Sequence, residues 1–193
     1  MGKNNAHGVE TPEQRLKRFQ ANGPIETIET LLNSIDNFFN NEIRLTPPNL
    51  QTTLLFLGIH ASVLTIGEAF FNNRKARAGT EHLQNYKDFL EKFVDGTTSD
   101  TKFSTVAEAI HKWRNIIAHQ WISSVGHGIE YDYNNPLGWE TQEEVLVINP
   151  QIYCDGYLSA FKAGGKIWKY NSLFTQQELN DIHARIIAKY QAQ

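Results

Sequence analysis

From Ile25 to Phe39 the apolar side chains fall at Ile25, Ile28, Leu31, Leu32, Ile35, Phe38 and Phe39, every third or fourth residue. That spacing gathers them on one stripe of an α-helix and scatters them over both faces of a strand. The same period returns at Leu83, Tyr86, Phe89, Leu90 and Phe93, and again at Leu179, Ile182, Ile186, Ile187 and Tyr190. Residues 50–73 form a further helical segment, the most apolar of the chain. Helices that each carry an apolar stripe must pack on one another to hide it, so the chain is predicted to be an all-α bundle.

The breaks between these segments have recognisable chemistry. Thr11-Pro12 reads as an N-cap followed by proline at the first helical position, opening a short helix to about residue 20. Asn22-Gly23-Pro24 ends it and starts the next, and Thr46-Pro47-Pro48 closes that one. Thr80 and Glu81 open a fourth helix, residues 95–100 form a loop, and a fifth helix covers about 104–122. The pattern then changes. Ile129, Tyr131 and Tyr133 alternate with Glu130 and Asp132, residues 134–138 (NNPLG) are turn chemistry, and Val145-Leu146-Val147-Ile148 is a second strand-like run. This reads as a small β-hairpin inserted at about 125–150. Asn149-Pro150 opens another helix, which Gly164-Gly165 interrupts or ends, and a last amphipathic helix covers about 175–191.

The 193 residues suit a single domain, 1–193, with a loose polar stretch at 1–10. A formal net charge of -3 is unlike a domain that grips nucleic acid without regard to sequence, so any RNA site must be local. Cys154 is the one cysteine, which excludes an internal disulfide and a cysteine-built zinc site and suits a reducing cytoplasm. The start, MGKNNAHGVE, has no apolar core of a secretory signal, and the longest apolar run, 54–59, is too short for a bilayer. The expectation is a soluble cytoplasmic protein with no membrane partner.

Chemistry concentrates in the fifth helix. At about 100° per residue, Ile110, Trp113, Ile117 and Trp121 share a narrow stripe, with Arg114 beside it. Glu108, Asn115 and His119 lie opposite, while Ile116 and Ala118 widen the apolar arc. So wide an arc suggests a helix covered twice, once by its own core and once by a second subunit. Arginine presents a permanently charged planar fork to phosphate oxygens, and histidine titrates near neutral pH, so the pair can act on a phosphodiester. On one ideal helix they point about 140° apart, which a symmetry-related copy would correct.

The run Arg114-Asn115-Ile116-Ile117-Ala118-His119 resembles the R-x4-H motif of the HEPN superfamily, including the polar residue that often follows its arginine. Residues 107–121, AEAIHKWRNIIAHQW, resemble the motif helix of that superfamily. The resemblance implies a HEPN-like helical bundle that dimerises through this helix. It further implies a metal-independent endoribonuclease, with no cofactor, acting on RNA as a toxin or defence nuclease, in which an antitoxin protein would be a further partner. His119 would be the general base on a ribose 2′-hydroxyl, Arg114 would hold the scissile phosphate, and Asn115 would orient the site. Trp121 stands where toxin members of the family with an R-x4-H-x-Y motif carry tyrosine, so regulation by modification of that hydroxyl has no acceptor here. The competing expectation is a non-catalytic module for nucleotide or RNA binding or for dimerisation.

Other candidates are secondary. Glu68, the one carboxylate inside the third helix, is placed to pair with Arg114 or simply to face water. Arg74, Lys75 and Arg77 make a basic loop suited to RNA phosphates or to solvent. The run 162–169, with Gly164, Gly165 and Trp168, mixes cations with an aromatic but reads more simply as a helix break. His111, His119 and His127 recur eight apart, a spacing that does not put zinc ligands on one helix face.

Overall fold

The computed structural model describes residues 10–38, 52–72, 80–95, 102–120, 129–143, 145–161 and 173–192. These hold seven α-helices: α1 Pro12–Ala21, α2 Pro24–Phe38, α3 Thr52–Phe70, α4 Glu81–Phe89, α5 Ala107–Gln120, α6 Pro150–Phe161 and α7 Gln176–Gln191. A π-helical turn, Leu90–Val94, extends α4, and a 3-10 turn, Phe103–Val106, leads into α5. The protein is thus mostly helical, with a small sheet. No helix among the described residues is long and apolar enough to cross a membrane.

Local chemistry sets the helix ends where the sequence placed them. Thr11 accepts from Gln14 N while the Gln14 side chain accepts from Thr11 N, and Thr175 and Glu178 repeat this reciprocal cap at α7. Asn149 caps α6 with its carboxamide oxygen on the amides of Gln151 and Ile152. Its other end, Nδ2, donates to the carbonyls of Tyr133 and Asn135, at 3.0 and 2.9 Å. One buried side chain thereby fixes both the helix start and the turn that precedes β2.

Helix α3 is the centre of the bundle, packed by α4, α5, α6 and α7. Its Phe56, Ile59, Val63 and Ile66 are buried, as are Ile28 and Leu32 of α2 and Ile182 and Ile186 of α7. α3 and α4 approach closely at Gly67, where a Cβ would stand 2.8 Å from the Asn85 carbonyl oxygen. Only glycine admits that separation without displacing backbone.

The sheet corrects one expectation. β1 (Ile129–Tyr131), β2 (Trp139–Gln142) and β3 (Val145–Ile148) are ordered β1-β3-β2. The two runs expected to form a hairpin, β1 and β3, pair in parallel, with Ile129 opposite Leu146 and Tyr131 opposite Ile148. The hairpin is instead β2–β3, turning at Glu143, which has a positive φ of 54°. The reason lies in Val145–Ile148, which has no polar face. Leu146, Val147 and Ile148 are all buried. A strand apolar on both faces needs the middle position, and a lone hairpin would leave it at an edge. Asn135 and Gly138 (φ 87°) form the turn before β2, not one joining paired strands.

Candidate functional site

Helix α5 buries Ala107, Ile110 and Trp113 against the bundle. The Trp113 ring stands edge-on to Phe56 at 5.7 Å and to Tyr131 at 5.9 Å. This anchors the expected inward stripe to both α3 and the sheet. Ile117 and Trp121, the rest of that stripe, lie outside the described side chains.

With Trp113 fixed inward, Arg114 emerges half-buried at the edge of the packed face. Its Nη1 donates to Asn115 Oδ1 at 2.8 Å. This is its one hydrogen bond among the described residues, and no carboxylate among them forms an ion pair with it. A partly desolvated guanidinium with no counter-charge among the described residues, braced by a neutral carbonyl oxygen, is suited to an anion.

One turn earlier on α5 stands His111, and beneath it His60 of α3. His60 Nε2 and His111 Nδ1 are 3.0 Å apart. His60 is fully buried, its ring 4.5 Å from that of Tyr86. The Tyr86 hydroxyl in turn meets the Tyr153 hydroxyl at 2.5 Å, and Tyr153 stacks on Phe56 at 4.9 Å. Burial, then the neighbouring His111, then Arg114 drive the His60 pKa down to about 3. Burial, then Arg114, then His82 hold His111 below the ordinary histidine value. Burial raises both tyrosine hydroxyls. Behind the arginine, therefore, the polar groups are neutral at physiological pH.

Sequence reasoning missed this pair. His60 lies inside an apolar helix whose period singles out no polar residue, and the spacing of His111 speaks only to zinc. The available signal was a histidine at the centre of the most apolar helix, where an imidazole needs a partner.

The other expected site residues are placed as follows. Glu68 does not pair with Arg114. Its carboxylate takes Lys189 at 2.6 Å and His82 at 3.0 Å, joining α3 to α7 and α4. It sits two turns beyond His60 on α3 and so falls beside the far ends of those helices. It also lines a cavity of about 560 Å³ with Leu31, His82, Asn85, Arg185 and Tyr190, and neither Arg114 nor His111 reaches that cavity. Arg185 is occupied there, donating to the Ala69 and Phe70 carbonyls at the end of α3. His119 belongs to α5, and its side chain lies outside the described residues, as do Arg74, Lys75, Arg77 and the run 162–169. Among the described residues no three His, Cys, Asp or Glu side chains come together as a metal site.

Set beside known proteins, the chain matches no family model, no curated protein and no solved structure.

Proposed function

We propose that the chain is a metal-independent endoribonuclease of the HEPN type, working as a homodimer through α5. The observation that carries this reading is the half-buried guanidinium of Arg114, braced by Asn115 and without an acidic partner among the described residues. In the proposed reaction His119 removes the proton of a ribose 2′-hydroxyl. The 2′-oxygen attacks the adjacent phosphorus, the 5′-oxygen leaves and takes its proton from water, the proton on His119 returns to solvent, and a 2′,3′-cyclic phosphate remains. Arg114 binds the phosphate and stabilises the charge that builds on its oxygens, a contribution of about 10²–10³ in rate for a single such donor. Arg114 and His119 lie on one continuous helix, about 7.5 Å apart along its axis and about 140° apart around it. Two copies of α5 crossing would let the arginine of one chain work with the histidine of the other.

The test is single-stranded RNA incubated with purified protein in excess chelator. Wild type should cut it and leave cyclic phosphate ends. His119→Ala and Arg114→Ala should each lose at least a hundredfold in rate with unchanged mass by light scattering. Intact RNA with folded wild type, or an undiminished rate in His119→Ala, refutes the assignment. A toxin or defence role predicts growth arrest on expression, relieved by Arg114→Ala, and an antitoxin partner able to prevent it.

A second reading, an RNA- or nucleotide-binding module, draws on the neutral imidazoles beside Arg114. Such a site holds phosphate without moving a proton.

A further inference from the structure

The His60–His111 contact fixes where the proton on His111 resides. Two ring nitrogens 3.0 Å apart share one hydrogen, so one imidazole donates and the other accepts. His60 Nδ1 is buried and has no hydrogen-bond partner among the described residues. If His111 donated, His60 would carry its own proton on Nδ1, leaving a buried N–H with no acceptor. If His60 donates from Nε2, only a bare lone pair is left at Nδ1. Orphaned buried N–H groups are the rarer and more costly of the two. His60 Nε2–H therefore donates to His111 Nδ1, and His111 must carry its proton on Nε2, at the ring edge turned away from His60.

His111 is half-buried, and that edge makes no hydrogen bond with a described residue. His111 also resists becoming a cation. Protonating Nδ1 would set two N–H groups face to face. Among the described residues the titratable groups that face it are His60 from α3, His82 and Tyr86 from α4 and Arg114 from its own helix, and none is a carboxylate. His111 and Arg114 are three residues apart on α5, on one side of the helix and about 4.5 Å apart along its axis.

We propose that His111 is a phosphate-binding residue beside Arg114, its Nε2–H donating to a non-bridging oxygen of an RNA phosphodiester, with His60 as the positioning residue that holds this tautomer. Among the described residues the site offers one cation and one neutral donor, which match the single negative charge of an internal phosphodiester. A second cation here would instead favour a terminal phosphate, which carries more charge. The inference rests on the reading of Arg114 as the phosphate ligand.

Two measurements test it. Binding is read by fluorescence anisotropy with a labelled single-stranded 2′-O-methyl oligoribonucleotide, which lacks the attacking hydroxyl and stays intact. His111→Phe should weaken binding about tenfold, the scale of one hydrogen bond to a charged acceptor. His111→Gln, which offers an N–H near the same place, should recover most of the loss. Equal affinity of His111→Phe and wild type overturns the proposal, and so does failure of wild type to bind. Wild type that binds, is weakened by His111→Phe and yet cuts no RNA would refute the nuclease and leave this site standing. The second measurement is independent of RNA, and its wild-type arm needs no variant. Imidazole nitrogen NMR of wild type should show His111 with its hydrogen on Nε2, and His60→Phe should release it to a mixture of tautomers. A hydrogen on Nδ1 of His111 in wild type overturns the proposal.

Discussion

Replacing His60 by glutamine should remove an acid sensitivity from the fold. His60 is buried, and its pKa in the folded protein is about 3, against about 6.5 for an unfolded histidine. Between those values the unfolded chain binds a proton that the folded chain refuses. Stability then rises with pH, and it falls as the solution is acidified below 6.5. The loss approaches about 1.4 kcal/mol per pH unit and sums to about 2 kcal/mol between pH 7 and pH 5. His60→Gln keeps an N–H able to reach His111 Nδ1 but cannot titrate. It should be less stable than wild type at pH 7, because glutamine fills the site imperfectly. The wild-type advantage should then shrink by about 2 kcal/mol at pH 5. Urea unfolding of both proteins at the two pH values, followed by tryptophan fluorescence, measures this, and taking the difference cancels the carboxylates common to both. A wild-type advantage that stays constant within the error of extrapolation would show that His60 accepts a proton in the folded protein, and the neutral pair behind Arg114 would be lost with it.

Three further outcomes follow from the packing. Gly67→Ala should destabilise by about 1–3 kcal/mol despite alanine's better helix propensity, because the new methyl meets the Asn85 carbonyl rather than a yielding side chain; a melting temperature equal to or above wild type would contradict the close approach of α3 and α4. Trp113→Ala should cost about 3–5 kcal/mol in urea unfolding, since the ring fills space between Phe56 and Tyr131, and a loss under 1 kcal/mol would mean that α5 is anchored elsewhere. Glu68→Gln breaks two partly exposed pairs, with Lys189 and His82. It should cost about 1 kcal/mol or less and leave RNA cleavage in chelator unchanged; a tenfold drop in rate would return Glu68 to the site.

Much of the helical framework is legible one segment at a time. Thr11 with Gln14 and Thr175 with Glu178 carry their caps within four residues, and the stripe through Ile110 and Trp113 needs only the 3.6-residue period to point inward. Arg114 beside that stripe was readable in the same way, whereas its bond to Asn115, which the helical period puts on the opposite side, was not. The strands were half legible. Alternation and apolar runs located β1 and β3, whereas their parallel pairing depended on β2 entering the other side of β3.

What the sequence determined by itself is therefore the helices, most of their ends and the place of Arg114 beside the buried stripe of α5, since caps and amphipathic stripes act over three or four residues. The tertiary structure alone decided that Glu68 turns to Lys189 and His82, that β3 is central, and that His60 meets His111 across 51 positions of chain. Those outcomes depend on which helix faces bury the most apolar surface together. A polar side chain carried into that packing finds its partner among whatever the neighbouring helix presents, and no local spacing records the choice.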